Sequence, residues 1–303
     1  MIEEHAQITV CICTYKRPAL LCRALQGVKR QQTNGAFTFS VVVVDNDAAE
    51  SARAETEAFA RHSSVPTTYC VEPRQGIALA RNRACAAATG GFVAFIDDDE
   101  CPTEHWLLNL LQTLRRYQVD GVLGPVRPEF DYRAPRWVIQ GGFYDRPTHE
   151  TGTRLAWGQC RTGNVLLKRE LVAGDATVFR PEFLSGEDQD FFKRQMAQGR
   201  TFVWCHEAPV DEFVPPGRWS RGFLVRRAVF RGVFSQRNRQ ESALPLLQSL
   251  LAVPFYLIAL PIGLVAGQSR FMSYVFKLSY HAGRLLAAIG INPIKQQYVT
   301  DQP

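Results

Sequence analysis

From residue 8 to residue 205, short apolar runs alternate with stretches of helical spacing. Residues 8–14 (ITVCICT), 39–44 (FSVVVV) and 91–97 (GFVAFID) are dense in valine, isoleucine and phenylalanine, and they predict buried strands. Residues 67–71 predict a weaker strand, 121–126 another, 159–167 a strand with a Gly-Asn break, and 201–205 a final short one. Between them, Leu20, Leu21, Leu25 and Val28 give an apolar face to a helix whose first turn suits Pro18. Further helices are predicted over 48–61, 76–88, 102–117 and 187–198. This alternation predicts an α/β fold, with a mostly parallel central sheet flanked by helices. Residues 129–157, aromatic and rich in Pro and Gly, predict a substrate-side loop rather than a core element.

The pattern changes at Trp219. Residues 218–239 predict a helix with seven arginines, and residues 244–266 hold no charge at all. Residues 250–266 are apolar throughout, and the uncharged segment is only just long enough for the roughly 20 residues that cross a bilayer, with Pro245, Pro254 and Pro261 as kinks. Residues 271–291, carrying Lys277, His281 and Arg284, predict an interfacial amphipathic helix. Arginines on both flanks fit a hairpin with both ends in the cytoplasm. A buried hairpin in a soluble domain or dimer is the alternative. The expected division is a catalytic domain over 1–212 and a basic, helical, membrane-associating region over 213–303.

Charge sharpens this picture. The 303 residues carry a net charge of +6, yet residues 213–300 hold eleven Lys/Arg and one acid, so the remainder is mildly acidic. A basic tail calls for an anionic partner, a membrane surface or a nucleic acid. The apolar segment beside the arginines favours lipid, about 1 kcal/mol per basic residue at an anionic leaflet, so no nucleic-acid partner is expected. The eight cysteines show no zinc spacing and read as reduced cytosolic thiols. The N-terminus has two acids and no apolar core, which excludes a signal peptide. Neither GxGxxG nor GxxxxGK[ST] occurs, which argues against a dinucleotide fold and a P-loop.

The candidate chemistry is acidic. The strand over 91–97 runs directly into Asp97, Asp98 and Asp99. Three carboxylates there oppose folding by desolvation and mutual repulsion, unless a hard divalent cation bridging to phosphate offsets them. A solvated turn capping the next helix through Asp99 or Thr103 is the other reading. The strand over 39–44 ends at Asp45, and the first strand ends in Thr14-Tyr15-Lys16-Arg17. Polar groups at the carboxyl edge of a parallel sheet suit a nucleotide. Glu187 and Asp188 open a helix, where the macrodipole favours carboxylates with or without catalysis.

The ordered set ICTYKRP at 12–18, VVVDND at 42–47, GIALARN at 76–82, FIDDDE at 95–100, TGN at 162–164 and GED at 186–188 resembles the family 2 glycosyltransferases, which use the nucleotide-diphospho-sugar transferase fold. The stretch VDEFVPPGRWSRGFLVRRAVFRG resembles bacterial exopolysaccharide glucosyltransferases of the succinoglycan-assembly type. The resemblance implies an inverting transfer of a hexose, glucose from UDP-glucose, onto a polyprenyl-diphosphate-linked oligosaccharide at the cytoplasmic leaflet; direct transfer to polyprenyl phosphate ranks second. It implies that Thr14, Tyr15 and Arg17 border the uracil or ribose and that Asp45 accepts from the uracil. Arg81 would lie near the base or phosphates, and Asp97, with Asp98, by the ribose or donor sugar. Asp99 would ligate Mg²⁺ or Mn²⁺, Asp188 would be the general base, and Glu187 would position the acceptor. Processive members carry QxxRW; here Pro216-Gly217-Arg218-Trp219 lacks the glutamine, which implies a single addition. Relatives also use a histidine as a metal ligand, and His206 is weighed against a structural role. Trp157 is a candidate for stacking on a sugar.

Overall fold

In the computed structural model the described residues are 6–174, 177–183, 186–237, 244–291 and 293. The strands are β1 (Ala6–Thr14), β2 (Phe37–Asp45), β3 (Thr67–Val71), β4 (Phe92–Asp97), β5 (Glu100–Pro102), β6 (Gly121–Leu123), β7 (Val126–Phe130), β8 (Val165–Lys168), β9 (Phe202–Trp204) and β10 (Val210–Val214). The α-helices are α1 (Pro18–Lys29), α2 (Arg53–His62), α3 (Ile77–Ala87), α4 (Trp106–Tyr117), α5 (Arg136–Gln140), α6 (Glu187–Ala197), α7 (Arg221–Arg237), α8 (Leu244–Val265) and α9 (Gln268–Ala288). Residue 239, at the predicted end of the arginine helix, lies outside the described residues.

A seven-stranded sheet runs in the order β3-β2-β1-β4-β8-β6-β9. The β2–β3, β1–β2, β1–β4 and β6–β9 pairs are parallel, and β8 runs antiparallel to both its neighbours. Both faces are covered, which is why the strands read as continuous apolar runs. Ile8, Val10 and Ile12 pack on one side with Leu21 and Leu25 of α1 and Trp106 and Leu110 of α4. Cys11, Val42, Val44, Val93 and Phe95 face the other way, onto Ala80 and Ala84 of α3 and Phe191 and Phe192 of α6. The split follows the two-residue period of a strand.

Three expectations change. The run over 121–126 is two strands in two sheets, because Gly124-Pro125 interrupts it and proline has no N–H for the ladder. Beyond that break, β7 lies in a three-stranded sheet, β5-β10-β7. The helix expected from Pro102 starts at Trp106, since residues 100–102 pair with β10 instead. Over 159–167 the strand begins only at Val165, after Asn164 takes a left-handed φ of 58°.

The chain forms two compact units. One holds the described residues up to Glu129 together with Arg146–Phe213; the other holds Phe130–Asp145 and the described residues from Val214 onward. The first contains the sheet and α1–α4 and α6. In the second, Val138, Phe143 and Tyr144 are buried with Trp219, Leu224 and Met272. Residues 129–157 therefore include core positions, which corrects the loop expected there. The aromatics that resembled a ligand surface fill the base of a helical bundle, and Trp219 donates its indole N–H to the Val214 carbonyl at 3.0 Å.

In this second unit α7 and α9 cross with backbones in contact. A Cβ on Gly232 would fall on the Tyr280 carbonyl oxygen, and one on Gly283 on the Val229 carbonyl oxygen. Neither obstacle is a flexible side-chain tip. Gly283→Val should therefore lower stability by about 1–3 kcal/mol or more, as overpacking does, read as a fall in the denaturation midpoint. An unchanged midpoint would show that this crossing does not bear on stability.

Candidate active site

Parallel register brings the strand ends together. Thr14 pairs with Asp45 across β1–β2, and Cys13 pairs with Asp97 across β1–β4. Because β8 runs the opposite way, with Val165 opposite Phe95, it delivers Thr162-Gly163-Asn164 to the same edge. Asn164 is fixed there: its side chain donates to the Pro125 and Ala208 carbonyls, at 2.8 Å each, and accepts from the Trp106 indole at 2.7 Å.

The three aspartates have separate environments. Asp98 is 4% exposed and bracketed, accepting from the Thr14 hydroxyl at 2.7 Å and from Arg17 at 3.2 Å. Burial raises its carboxyl above the ordinary range, while Arg17 and Thr14 pull it back. It ties the end of β1 and the start of α1 to β4, a structural task for the residue whose part was least defined by sequence. Arg17 also lies 3.6 Å from Asp99. Asp97 is the open one, its side chain 44% exposed.

Arg81, on α3, joins the two halves of the site. It is nearly buried; its guanidinium contacts Glu187 directly and lies 3.6 Å from Asp97. Glu187 opens α6, and burial pushes its carboxyl up while Arg81 pulls it down. Asp188 is half-buried, and its Oδ1 accepts the Gln189 N–H at 2.8 Å. Leu184 and Ser185, just before this helix, lie outside the described residues.

Sequence reasoning missed Glu100. It is 1% exposed, its Oε2 accepts the Asp97 N–H at 3.1 Å, and its Oε1 has no partner. A Cβ on Gly163 would sit 2.8 Å from that Oε1 and 3.1 Å from an Asp97 oxygen, so only glycine leaves this space open. Glu212 stands opposite Glu100 in the β5–β10 register and pairs with Arg146. Burial first, and then Asp97, hold the Glu100 carboxyl far above its ordinary range, with Arg146 opposing. The sequence signal was the fourth acid of FIDDDE; the partners Arg146 and Glu212 have no local signature.

Asp45 is at 0% exposure and takes three donors: the Asp47 N–H at 3.0 Å, the Ala52 N–H at 2.7 Å and the Tyr69 hydroxyl at 2.9 Å. Neighbouring Asn46 holds the 72–76 loop, donating to the Glu72 and Arg74 carbonyls and accepting the Gly76 N–H. Tyr15 is half-buried beside Lys16, whose φ of 54° turns the chain sharply after β1. His206 lies apart, exposed after β9, where its backbone N–H donates to Thr151 and its side chain neighbours Glu207. Trp157 is half-buried against the core, with the Lys193 ammonium 5.5 Å from its ring.

The donor set suits a hard cation. Asp97, Asp99 and Glu100 offer carboxylate oxygens, and the Glu100 Oε1 is buried without a partner. Among the described residues no preformed group of three ligands exists. A cation here would draw the rest of its shell from substrate oxygens and water, as Mg²⁺ usually does.

The glycosyl transferase family 2 model matches residues 9–171, the segment that carries β1 through β8 and every strand-end carboxylate described above. The chain belongs to glycosyltransferase family 2. Succinoglycan biosynthesis protein ExoM of Rhizobium meliloti (strain 1021) is 32% identical over 306 residues, covering 98% of this chain and 97% of ExoM. The mannosyltransferase PcManGT of Pyrobaculum calidifontis, solved with GDP-Man and Mn²⁺, superposes with a TM-score of 0.61 at 19% identity, over 93% of this chain and 88% of its own. S. aureus TarS 1–349 with UDP gives 0.54 at 14% identity over 98% of each chain, and this chain spans 39% of a longer TarS structure. At such identities the two structures speak for the family 2 fold alone.

Proposed function

We propose that this enzyme transfers a hexose, glucose from UDP-glucose, with inversion onto a polyprenyl-diphosphate-linked oligosaccharide in surface-glycan synthesis. The observation that carries the reading is Arg81, which touches Asp97 on the sheet edge and Glu187 at the start of α6. One guanidinium thus holds a donor-side carboxylate next to the helix that bears Asp188. The names of ExoM and of the UDP-bound TarS are in keeping with it.

Thr14, Tyr15 and Arg17 line the base and ribose. Asp45 is the residue assigned to the uracil; fully buried with three donors, it acts by fixing the Asp47–Ala52 turn against which the base lies. Asp97 faces the ribose or sugar, and Asp98 holds Arg17 in place. Asp99 is the residue to hold Mg²⁺ or Mn²⁺, with Glu100 behind it. Such an ion supplies charge stabilisation for the departing nucleoside diphosphate. Asp188 takes the proton from the acceptor hydroxyl. The hydroxyl oxygen then bonds to the anomeric carbon as the bond to the diphosphate breaks on the opposite face, so an α-linked donor yields a β-glycoside. Glu187, fixed by Arg81, positions the acceptor. The domain roles follow: residues 1–212 for catalysis, 213–303 for the membrane.

Residues Leu246–Val265 of α8 form a 20-residue span long and apolar enough to cross a membrane, and most of it is exposed. Leu250, Leu251, Phe255, Ile258 and Ile262 are all exposed. Only Ala266 and Gly267 separate α8 from α9. If α8 crossed, α9 would cross back with Arg270, Lys277 and Arg284, at about 2.5–3.5 kcal/mol for each charge at mid-membrane. A shallow hairpin on the cytoplasmic leaflet avoids that cost.

The test is a panel of nucleotide sugars with Mn²⁺, following release of the nucleotide. UDP-glucose should be hydrolysed slowly, and EDTA should stop it. Release from a different donor alone would replace the sugar assignment, and unimpaired release in EDTA would remove the metal.

A further inference from the structure

Among the described residues of the helical unit, Arg284 is out of keeping with its surroundings. Arg284, on α9, is 4% exposed. Its Nε and Nη2 are buried and have no hydrogen-bond partner among the described residues. These two nitrogens form one edge of the guanidinium, the edge that binds two oxygens side by side. Elsewhere in this chain the same edge is filled: Arg127 holds Asp211 with it, and Arg133 holds Asp131.

Among the described residues no carboxylate bonds to this edge; Asp131 of the same unit is held by Arg133. From Val214 to the end, the sequence has two acids, Glu241 and Asp301, both outside the described residues. What surrounds Arg284 is neutral or cationic. The Tyr280 ring lies 5.9 Å from its guanidinium carbon, His281 is its neighbour on α9, and Gly232 of α7 packs against its backbone. From α8, fully buried Ser249 is 3.1 Å from His281 Nδ1, and Tyr256 stacks on the His281 ring. A buried guanidinium with an empty fork carries a desolvation penalty that a bound anion relieves.

The second observation is the apolar surface on the same hairpin. Ser249 places the His281 and Arg284 end of α9 beside the start of α8, and the exposed leucines and isoleucines of α8 extend from there to Val265. An anionic group at one end of an apolar track fits an amphiphile. A single apolar helix face beside the fork suits one hydrocarbon chain, as on a prenyl carrier, rather than the two chains of a phospholipid.

We propose that Arg284 binds the phosphate of a polyprenyl carrier whose hydrocarbon chain lies along the exposed face of α8. This rests on the membrane and acceptor reading above, and it supplies that reading with a residue. Arg284 touches no reacting atom. Its part is to seat the lipid end of the acceptor.

The test compares wild type, Arg284→Gln and Arg284→Lys on three vesicles: phosphatidylcholine alone, with added polyprenyl phosphate, and with added phosphatidylglycerol. Wild type should prefer the polyprenyl phosphate vesicles. Arg284→Gln should lose that preference, roughly ten- to hundredfold in affinity for a charge-assisted bidentate contact. Arg284→Lys should restore little, because an ammonium lacks the fork. In transfer assays Arg284→Gln should raise KM for the lipid-linked acceptor with kcat unchanged, and should leave a short lipid-free acceptor unaffected. Without lipid, Arg284→Gln should unfold at the same temperature or higher, which separates lost binding from lost folding. Equal binding of wild type and Arg284→Gln to polyprenyl phosphate vesicles would overturn the inference and leave membrane contact standing. A greater preference of wild type for phosphatidylglycerol would overturn the choice of carrier. Wild type that binds none of the three would overturn the membrane reading along with it.

Discussion

Asp188→Asn is expected to cut sugar transfer by roughly 10²–10⁴-fold, the usual contribution of a positioned base, with nucleotide affinity unchanged. The geometry supports both halves. Asp188 begins α6 half-exposed, and its carboxylate accepts the Gln189 N–H through Oδ1, which an asparagine carbonyl can replace. The substitution removes basicity and leaves Thr14, Arg17 and Asp97, the groups proposed to meet the donor, in place. The two halves are measured separately, transfer by product formation and affinity by calorimetric titration of UDP with Mn²⁺. Near-normal transfer by the variant would take the base role away from Asp188. A parallel loss of UDP affinity would place Asp188 on the donor side instead.

Arg81→Leu should cost about 3–5 kcal/mol of stability, the usual result of removing one partner from a buried ion pair, and should also abolish transfer. The leucine would leave the Glu187 carboxylate buried with nothing opposite it and would release Asp97. Arg81→Leu combined with Glu187→Leu should recover most of the stability, since a paired apolar replacement is often neutral. Transfer should not recover. Chemical denaturation of both variants reads the first effect and an activity assay the second. If the double variant regains activity, the pair is only a structural brace.

The first unit was legible because its strands are buried on both faces, and runs such as FSVVVV have no other use. The two acid-ended strands and α6 could be placed from local text. The small second sheet could not, because β5 and β10 are short and polar, and they matter only through Glu100 meeting Glu212 across them. Asp45 read as a ligand for a base; its donors Ala52 and Tyr69 come from the residue before α2 and from β3, and no local spacing announces such a ring. Residues 129–157 misled for a similar reason. Their aromatics are core residues, but the core they fill is built from helices seventy and more residues later in the chain. Arg284 was visible in the sequence as one cation of an amphipathic helix; its empty fork is a property of three helices together.

The Arg81 contact has a consequence for how this enzyme changes over generations. Its partners, Asp97 and Glu187, are separated in sequence, with Glu187 lying 106 positions after Arg81, so no single exon-sized segment carries the arrangement. Loss of Arg81 strands the buried Glu187 carboxylate, and loss of Glu187 leaves buried Arg81 with the more open Asp97 alone. Drift should therefore treat Arg81 and Glu187 as one inherited character, changing them jointly or leaving them alone, whereas the exposed side chains of α8 are free to exchange among apolar residues.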